Sequence, residues 1–282
     1  MKLTLGFRIY VNWIHCDEQL DLQSSMLVLL SPSKTLSFQD APAAEFSEVP
    51  VFIEASDKLM DKLKRLNAKK IEGLMSVNAG IAAQTAEWAR NWNIPFSTTN
   101  ARPAAHCFKG AVYTGLRARK WSEADRAFAQ QHLRILSGLY GILKPLDLIQ
   151  PYRLEMGLKW DISAKIGNLY SFWGDRIRNQ VESESDGLII NLASKEYSKS
   201  AISTDYEGRV ITPAFKDLVG TEYKSKMAYA KEARGTMARF IVQNQLTHPN
   251  DFKQFNGMGY SYNSALSTTD NWVFTRDVST TK

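Results

Sequence analysis

Two short apolar runs constrain the fold of this chain more than any other feature. Leu27–Leu30 reads Leu-Val-Leu-Leu, and Leu188–Leu192 is apolar except for Asn191. Strands that are covered by helices on both faces give such continuous apolar runs, whereas half-exposed strands alternate. Two further strand-like stretches lie at Arg209–Phe215 and Trp272–Arg276. The pattern predicts an α+β or mixed α/β fold with a central sheet flanked by helices.

Helical patterns separate these strands. A pattern with Leu59, Met60 and Leu63 on one face follows the first strand, and another runs from about 70 to 92. Ser122 and Asp125 have the spacing of a capping box at the start of a third helix. A long helix is expected over 221–246. Without repeats, low-complexity tracts or a clear linker, the chain is predicted to form one domain over 26–276.

The loop after the first strand has polar residues suited to binding an anion. Ser31 and Lys34 lie in the sequence Ser-Pro-Ser-Lys-Thr, and ligands of open α/β sheets often bind where strands end. The loop lacks the glycines of a nucleotide P-loop, so ATP binding does not follow. Pocket candidates are Ser31, Lys34, Arg102, Lys109, Arg153 and Glu155. An ordinary polar turn and a structural Arg153–Glu155 ion pair remain the alternatives.

The stretch Leu136–Leu143 contains Gly138 and Gly141 between apolar residues, and Lys144 follows it. We interpret the stretch as a tight glycine turn between two short helices, that is, a helix-hairpin-helix. The backbone amides of such a turn suit phosphate oxygens, and a neighbouring lysine adds positive charge. A plain connecting turn is the alternative, because the spacing of the two glycines differs from the usual motif.

Composition narrows the classes of function. The 282 residues include 35 Lys and Arg against 29 Asp and Glu, a net charge of +6 that mildly favours an anionic partner. Two cysteines, Cys16 and Cys107, and four histidines favour neither a disulfide framework nor a metal cage. No apolar run has membrane-spanning length, and 1–25 lacks the pattern of a signal peptide. We interpret 1–25 as an extension upstream of a natural start at Met26, with a partly ordered N-terminal arm as the alternative. We interpret the protein as cytoplasmic.

From Met26 onward the chain resembles the YaaA family of bacterial peroxide-stress proteins. The resemblance rests on ordered blocks that span nearly the whole domain. The blocks are Ser31–Leu36, Asn100–Leu116, Ala129–Gly157, Phe172–Asp175, Ile190–Tyr197, Ala233–Ile241 and Phe255–Tyr262. It implies a cytoplasmic protein that lowers free iron and limits iron-driven damage under peroxide stress. It also implies a mixed α/β fold with a basic cleft and a helix-hairpin-helix that binds DNA, and no established reaction or cofactor.

The first hypothesis, which combines the residue pattern with the resemblance, gives a DNA-binding role to one set of residues. The set comprises Gly138, Gly141, Lys144, Lys231, Arg234 and Arg239, which would contact the backbone of double-stranded DNA, with a possible preference for bent or distorted duplex. Two departures from the family pattern affect these expectations. Ala111 stands where relatives carry Asp, and Glu232 makes the long helix less basic. The second hypothesis is an enzyme or small-ligand binder for a phosphorylated or nucleotide-like molecule at the pocket candidates.

Overall fold

The predicted apolar runs form the centre of an eight-stranded mixed sheet in the computed structural model, which describes residues 26–39, 41 and 48–277. The expected N-terminal extension lies outside the described residues. The strands are β1 (Leu27–Leu30), β2 (Arg102–Pro103), β3 (Leu133–Ser137), β4 (Gly141–Leu143), β5 (Leu148–Ile149), β6 (Leu188–Asn191), β7 (Arg209–Val219), β8 (Glu222–Lys224), β9 (Ser261–Tyr262) and β10 (Asn271–Arg276). Of these, β2 and β5 pair with each other in a separate two-stranded sheet.

Helices cover the sheet and join its strands. They are α1 (Ile53–Lys64), α2 (Ala68–Met75), α3 (Ala79–Asn91), α4 (Ala104–Cys107), α5 (Ala111–Leu116), α6 (Glu123–His132), α7 (Leu169–Trp173), α8 (Arg176–Glu184), α9 (Lys195–Ser198), α10 (Met227–Gln243) and α11 (Pro249–Phe252). The predicted class, a mixed α/β single domain with a central sheet flanked by helices, is therefore confirmed.

The strand order is β4-β3-β1-β6-β7-β10-β9, and β8 pairs with β7 outside this path. The five strands from β3 to β10 in this order run parallel. Val28 of β1 lies opposite Leu133 on one side and Ile190 on the other. All four residues of β1 are buried, as the continuous apolar run predicts. The carboxyl ends of β1, β3 and β6 therefore meet at one edge of the sheet.

The helix-hairpin-helix predicted at Leu136–Leu143 is wrong. After α6 the chain enters β3 and turns back into β4, with Ser137 opposite Gly141 in an antiparallel hairpin. All residues of both strands are buried, so this stretch is an extended segment that is covered on both faces rather than a helix. A hairpin of two helices lies earlier in the chain, where α2 and α3 are joined by only three residues, 76–78.

The capping box predicted for the third helix is present. Ser122 Oγ accepts a hydrogen bond from the Asp125 backbone N–H at 3.1 Å, and an Asp125 carboxylate oxygen accepts from the Ser122 backbone N–H at 2.9 Å. The box thereby satisfies backbone N–H groups that lack a partner at the start of a helix. The helix therefore begins at Glu123 rather than fraying into the preceding loop.

Helix α10 crosses α5 at backbone contact. A Cβ added to Gly235 would lie 1.7 Å from the carbonyl oxygen of Val112, and one added to Gly115 would lie 2.3 Å from the carbonyl oxygen of Glu232. Any side chain at either glycine would separate the two helices. The close crossing fixes α5 and the loop before it against the long helix, which itself packs on β7.

A buried carboxylate lies where β7 and β10 pair. Asp217 in β7 is fully buried, and it accepts hydrogen bonds from Tyr260 Oη at 3.2 Å and from Arg276 Nε. Arg276 also donates to the carbonyl oxygen of Met258 at 3.1 Å. The charge of Asp217 is thus paired within the interior, which is the condition for a buried carboxylate to be tolerated.

Candidate functional site

Two serines meet where neighbouring parallel strands end. Ser31 follows β1 and Ser194 follows β6, and the two strands are paired. Ser31 Oγ donates a hydrogen bond to Ser194 Oγ at 3.2 Å and accepts one from the Ser194 backbone N–H at 2.8 Å. The topology alone brings these residues together, although they are 163 positions apart in the chain.

The loop after β1 is fixed by the segment before α5. The Lys109 backbone N–H donates to the carbonyl oxygen of Thr35 at 3.0 Å, and Leu36 forms an isolated antiparallel bridge with Phe108. Gly110 then has a φ of +98°, and a Cβ there would approach Ser33 Oγ to 3.3 Å. A residue with a side chain would be strained at this φ, so glycine keeps the two loops in contact.

Glu155 joins two cations at the same edge. One carboxylate oxygen accepts a hydrogen bond from Lys34 Nζ at 3.0 Å, and the other accepts from an Arg153 terminal nitrogen at 2.9 Å. The side chain of Glu155 is 17% exposed and that of Arg153 is 16% exposed, whereas that of Lys34 is 63% exposed. The group therefore extends from the surface into the protein. We call Ser31, Lys34, Arg153, Glu155 and Ser194 the strand-end cluster.

Helix α9 holds the backbone that carries this ion pair. Glu196 accepts a hydrogen bond from the Gly157 backbone N–H at 2.9 Å, and the Tyr197 hydroxyl lies against the backbone of Met156. Burial raises the pKa of Tyr197, and Tyr152, Glu196 and, to a lesser extent, Glu155 raise it further, while the hydrogen bond with the Met156 backbone opposes the rise. Tyr197 therefore remains a neutral phenol that can donate a hydrogen bond at physiological pH.

Two more buried tyrosines lie beneath the cluster. The Tyr113 hydroxyl donates to the carbonyl oxygen of Ser31 at 3.0 Å, and the hydroxyls of Tyr152 and Ser137 share a hydrogen bond of 2.7 Å. Burial raises the pKa of Tyr113 and of Tyr152, and Tyr152 and Tyr197 raise that of Tyr113 further. The interior side of the cluster is thus lined by neutral hydroxyls rather than by charges.

The predicted pocket residues are only partly gathered. Ser31, Lys34, Arg153 and Glu155 come together, and Lys109 reaches the same loop through its backbone. Arg102 instead donates to the carbonyl oxygens of Thr98 and Ala101 in its own loop, and no hydrogen bond or ion pair within the described chain joins it to the cluster.

Sequence reasoning missed Ser194, Tyr113 and Tyr197. Ser194 carried a usable signal, because it follows the second apolar run just as Ser31 follows the first. Both loops leave the same edge of a parallel sheet, where ligands bind in open α/β folds. The two tyrosines carried no such signal, since a buried tyrosine in a helix usually belongs to the core.

The glycines predicted to contact DNA are internal packing positions. Gly138 and Gly141 are both buried. A Cβ at Gly138 would lie 2.3 Å from the carbonyl oxygen of Leu154, and one at Gly141 would lie 2.9 Å from the Trp173 ring. The chain forms a buried β hairpin here, and neither glycine can present an amide to a phosphate without disrupting the fold.

The predicted DNA-binding cations lie on two different elements. Lys144 is paired with Glu48, with 3.2 Å between Nζ and a carboxylate oxygen. On α10, Lys231 is exposed and Arg234 is partly buried, and burial lowers the pKa of Arg234. Burial and the nearby Arg117 lower the pKa of Arg239, and Glu232 raises it. Of the cations on α10 in this set, Lys231 is the most exposed.

A cavity of about 260 Å³ lies beside β4 and contains a buried carboxyl group. Asp147 is 4% exposed, and one of its oxygens accepts from the Lys144 backbone N–H at 2.9 Å. Burial raises the pKa of Asp147 to about 7, and Glu48 contributes to the rise, while the Lys144 N–H and the positive charges of Lys144 and Arg134 oppose it. Asp147 therefore titrates near neutral pH.

The described residues show neither a metal centre nor a membrane-spanning helix. No group of three or more His, Cys, Asp or Glu side chains in this part of the chain is arranged to hold a metal ion. Within the same residues, none of the helices combines the length and the apolar character that crossing a membrane requires.

The fold and the strand-end cluster define an α/β protein whose polar groups gather where parallel strands end. The sequence model of the family described as Peroxide stress protein YaaA matches residues 26–266. A UPF0246 protein of Cellvibrio japonicus is 44% identical over 256 residues, which cover 89% of this chain and 99% of that relative. UPF0246 proteins of Colwellia psychrerythraea and Hahella chejuensis are also 44% identical over 89% of the chain, and the match covers 99% and 100% of their lengths. The chain therefore belongs to the peroxide stress protein YaaA family.

Proposed function

We propose that this protein acts in the cytoplasm under peroxide stress and binds double-stranded DNA through its sugar-phosphate backbone, which helps to limit iron-driven damage. Membership of the peroxide stress family supports the physiological setting. The net charge of +6 favours a polyanionic partner. The observation that carries the proposal is the exposed helical hairpin formed by α2 and α3.

The turn of this hairpin presents the start of a helix to solvent. Asn78, Ala79 and Gly80 are exposed, and the Asn78 side chain caps α3 by accepting from the Ile81 backbone N–H at 2.9 Å. The first turn of α3 contains no acidic residue. Its remaining free amides and the positive end of the helix dipole therefore suit a phosphate oxygen.

Lysines at the opposite end of α2 add charge to the same hairpin. Lys69 and Lys70 are exposed in the first turn of α2, and neither side chain has an ion-pair partner among the described residues. Among the described residues, and apart from the backbone of its own helix and its chain neighbours, Gly80 has only the Asn78 side chain within 4 Å of an added Cβ. A bulky phosphate group therefore has room to approach this position. Contacts of this kind read the backbone and not the bases, so binding is expected to be independent of sequence.

The test is fluorescence anisotropy of a labelled duplex across a salt series, with intact and bulged duplexes compared. Gly80→Asp is the decisive variant, because a carboxylate in the first turn favours the helix and repels phosphate. We expect it to abolish binding without lowering the melting temperature. Wild-type affinity in this variant would contradict the assignment of the hairpin.

A charge-matched pair of variants separates a specific surface from general attraction. Replacing Lys69 and Lys70 with Ala should reduce the slope of log affinity against log salt by about 0.9 for each phosphate that the variant no longer neutralises. Replacing the exposed Lys159 and Lys165 with Ala removes the same charge from another loop and should leave the slope unchanged. Equal effects of the two double variants would show that only net charge matters.

A further inference from the structure

We propose that the strand-end cluster is a second binding site, separate from the DNA-binding hairpin, and that it takes a small phosphorylated molecule. The cluster lies where ligands bind in open α/β sheets, at the carboxyl ends of the adjacent strands β1 and β6. Residues from three separate segments of the chain form it. The hydrogen-bonding groups of the cluster that have no partner within the described chain indicate the chemical class of the ligand.

The unused groups of the cluster are donors. Arg153 Nε is buried and has no hydrogen-bond partner among the described residues. The Lys34 ammonium has three N–H donors, and one of them is directed to Glu155. Ser194 Oγ already accepts from Ser31, so its own proton is left to donate to something else. A buried donor without an acceptor costs free energy, which a ligand oxygen would recover.

The acceptors of the cluster are already occupied. Both carboxylate oxygens of Glu155 take hydrogen bonds from cations, and Ser31 Oγ accepts from the Ser194 backbone. A ligand that brings further donors would therefore find few partners. A ligand rich in acceptor oxygens matches the unused donors. Because the cluster contains two cations and one carboxylate, it also favours a negatively charged ligand. A phosphate ester, which offers three terminal oxygens and a negative charge, fits the donors better than a carboxylate with two oxygens.

The depth of the cluster favours a small molecule over a duplex. Arg153 and Glu155 are largely buried, and only Lys34 of the three charged side chains is mostly exposed. The hydroxyls of Tyr113 and Tyr197 lie further in and are neutral. The convex backbone of a duplex can touch Lys34 without reaching Arg153. A small phosphate ester can contact both cations.

Glu155 gives the proposal its sharpest test. Its carboxylate now holds the two cations, so it competes with any incoming anion. Glu155→Gln keeps the size and one acceptor oxygen but removes the charge. We expect inorganic phosphate, titrated by calorimetry, to bind Glu155→Gln about tenfold more tightly than wild type, which corresponds to about 1.4 kcal/mol. Weaker or equal binding would overturn the proposal.

Two further variants and a control define the site. Lys34→Met and Ser194→Ala should each weaken phosphate binding about tenfold, a change of about 1.4 kcal/mol. Lys165→Met, which removes an exposed lysine elsewhere, should leave phosphate affinity unchanged. Because Lys34 is exposed, its replacement is not expected to impair folding. A similar decrease in affinity in Lys34→Met and Lys165→Met would reduce the effect to general charge and overturn the proposal.

The same variants distinguish free phosphate from DNA phosphate. Phosphate binding that persists in Gly80→Asp supports a separate site, whether or not that variant still binds duplex. If wild type binds no phosphate and Lys34→Met weakens duplex binding, the cluster belongs to the DNA surface and the proposal fails. If neither ligand responds to Lys34→Met or Glu155→Gln, the cluster is a structural ion pair and the proposal also fails.

Discussion

Replacing Gly235 with Ala tests the backbone contact between α5 and α10. In an isolated helix this change would be favourable, because Ala is about 1 kcal/mol better than Gly in a helix interior. In this protein the new Cβ would lie 1.7 Å from the carbonyl oxygen and 2.7 Å from the carbonyl carbon of Val112. These are backbone atoms, so no rotation of a side chain can relieve the overlap.

The two opposing terms set the expected size. Overpacking of this kind costs about 1–3 kcal/mol, and a contact this short with backbone belongs at the upper end. Subtracting the gain in helix propensity leaves a decrease of about 2 kcal/mol in the free energy of unfolding. Gly73 in α2 supplies the matched control, because no described atom outside its own helix backbone and its chain neighbours lies within 4 Å of a Cβ there. Gly73→Ala should stabilise by about 0.5–1 kcal/mol.

The assay is equilibrium unfolding in urea, followed by far-ultraviolet circular dichroism and by tryptophan fluorescence. We expect the midpoint to fall for Gly235→Ala and to rise for Gly73→Ala, with unchanged slopes. Equal stability of the two variants would refute the reasoning, because it would mean that helix propensity, and not the close approach of α5, decides the outcome at Gly235.

Three further outcomes follow from the structure. Ser122→Ala removes the capping box and should cost about 1 kcal/mol in urea unfolding. Asp217→Ala leaves the largely buried Arg276 without its partner and should cost about 3–5 kcal/mol, whereas truncating the exposed Asp270 of another ion pair should change stability by less than about 1 kcal/mol. For Asp147 the folded pKa of about 7 lies above the ordinary value of 3.8, so wild type loses stability as pH rises from about 4 to 7. Asp147→Asn should remove that slope in thermal unfolding, and its advantage over wild type should be larger at about pH 8 than at about pH 5.

The strands were predictable where burial determines the residue pattern. The apolar run Leu27–Leu30 predicts a central strand that is covered on both faces, and its parallel neighbour Leu188–Asn191 is also mostly apolar. The hairpin of β3 and β4 was misinterpreted because Gly138 and Gly141 punctuate an apolar stretch that fits a short helix as well as a strand. The decisive information is the position of Leu133–Ser137 beside β1, and periodicity does not contain it.

Most residues of the strand-end cluster could be chosen from the sequence, but the sequence does not show that they lie together. Lys34 and Glu155 could each be chosen as residues suited to an anion site, yet they are 121 positions apart and meet only because their segments reach the same sheet edge. In the sequence Arg102 was an equally suitable candidate for an anion site, but in the structure it donates hydrogen bonds to nearby carbonyl oxygens. Some polar side chains form hydrogen bonds with nearby backbone atoms, and others remain able to bind a ligand. Backbone geometry decides between the two, and the sequence alone does not reveal it.

The position of β10 affects the order in which the protein can fold during synthesis. This strand is the last described one along the chain, yet it lies between β7 and β9 and not at an edge. Until residues 271–276 have left the ribosome, the edge of β7 from Thr212 to Asp217 has no partner and Phe215 lacks the stacked ring of Phe274. The nascent chain therefore has an unpaired strand edge from the synthesis of β7 until that of β10. An unpaired edge of this kind is prone to aggregation, so chaperone binding during this period would protect the chain.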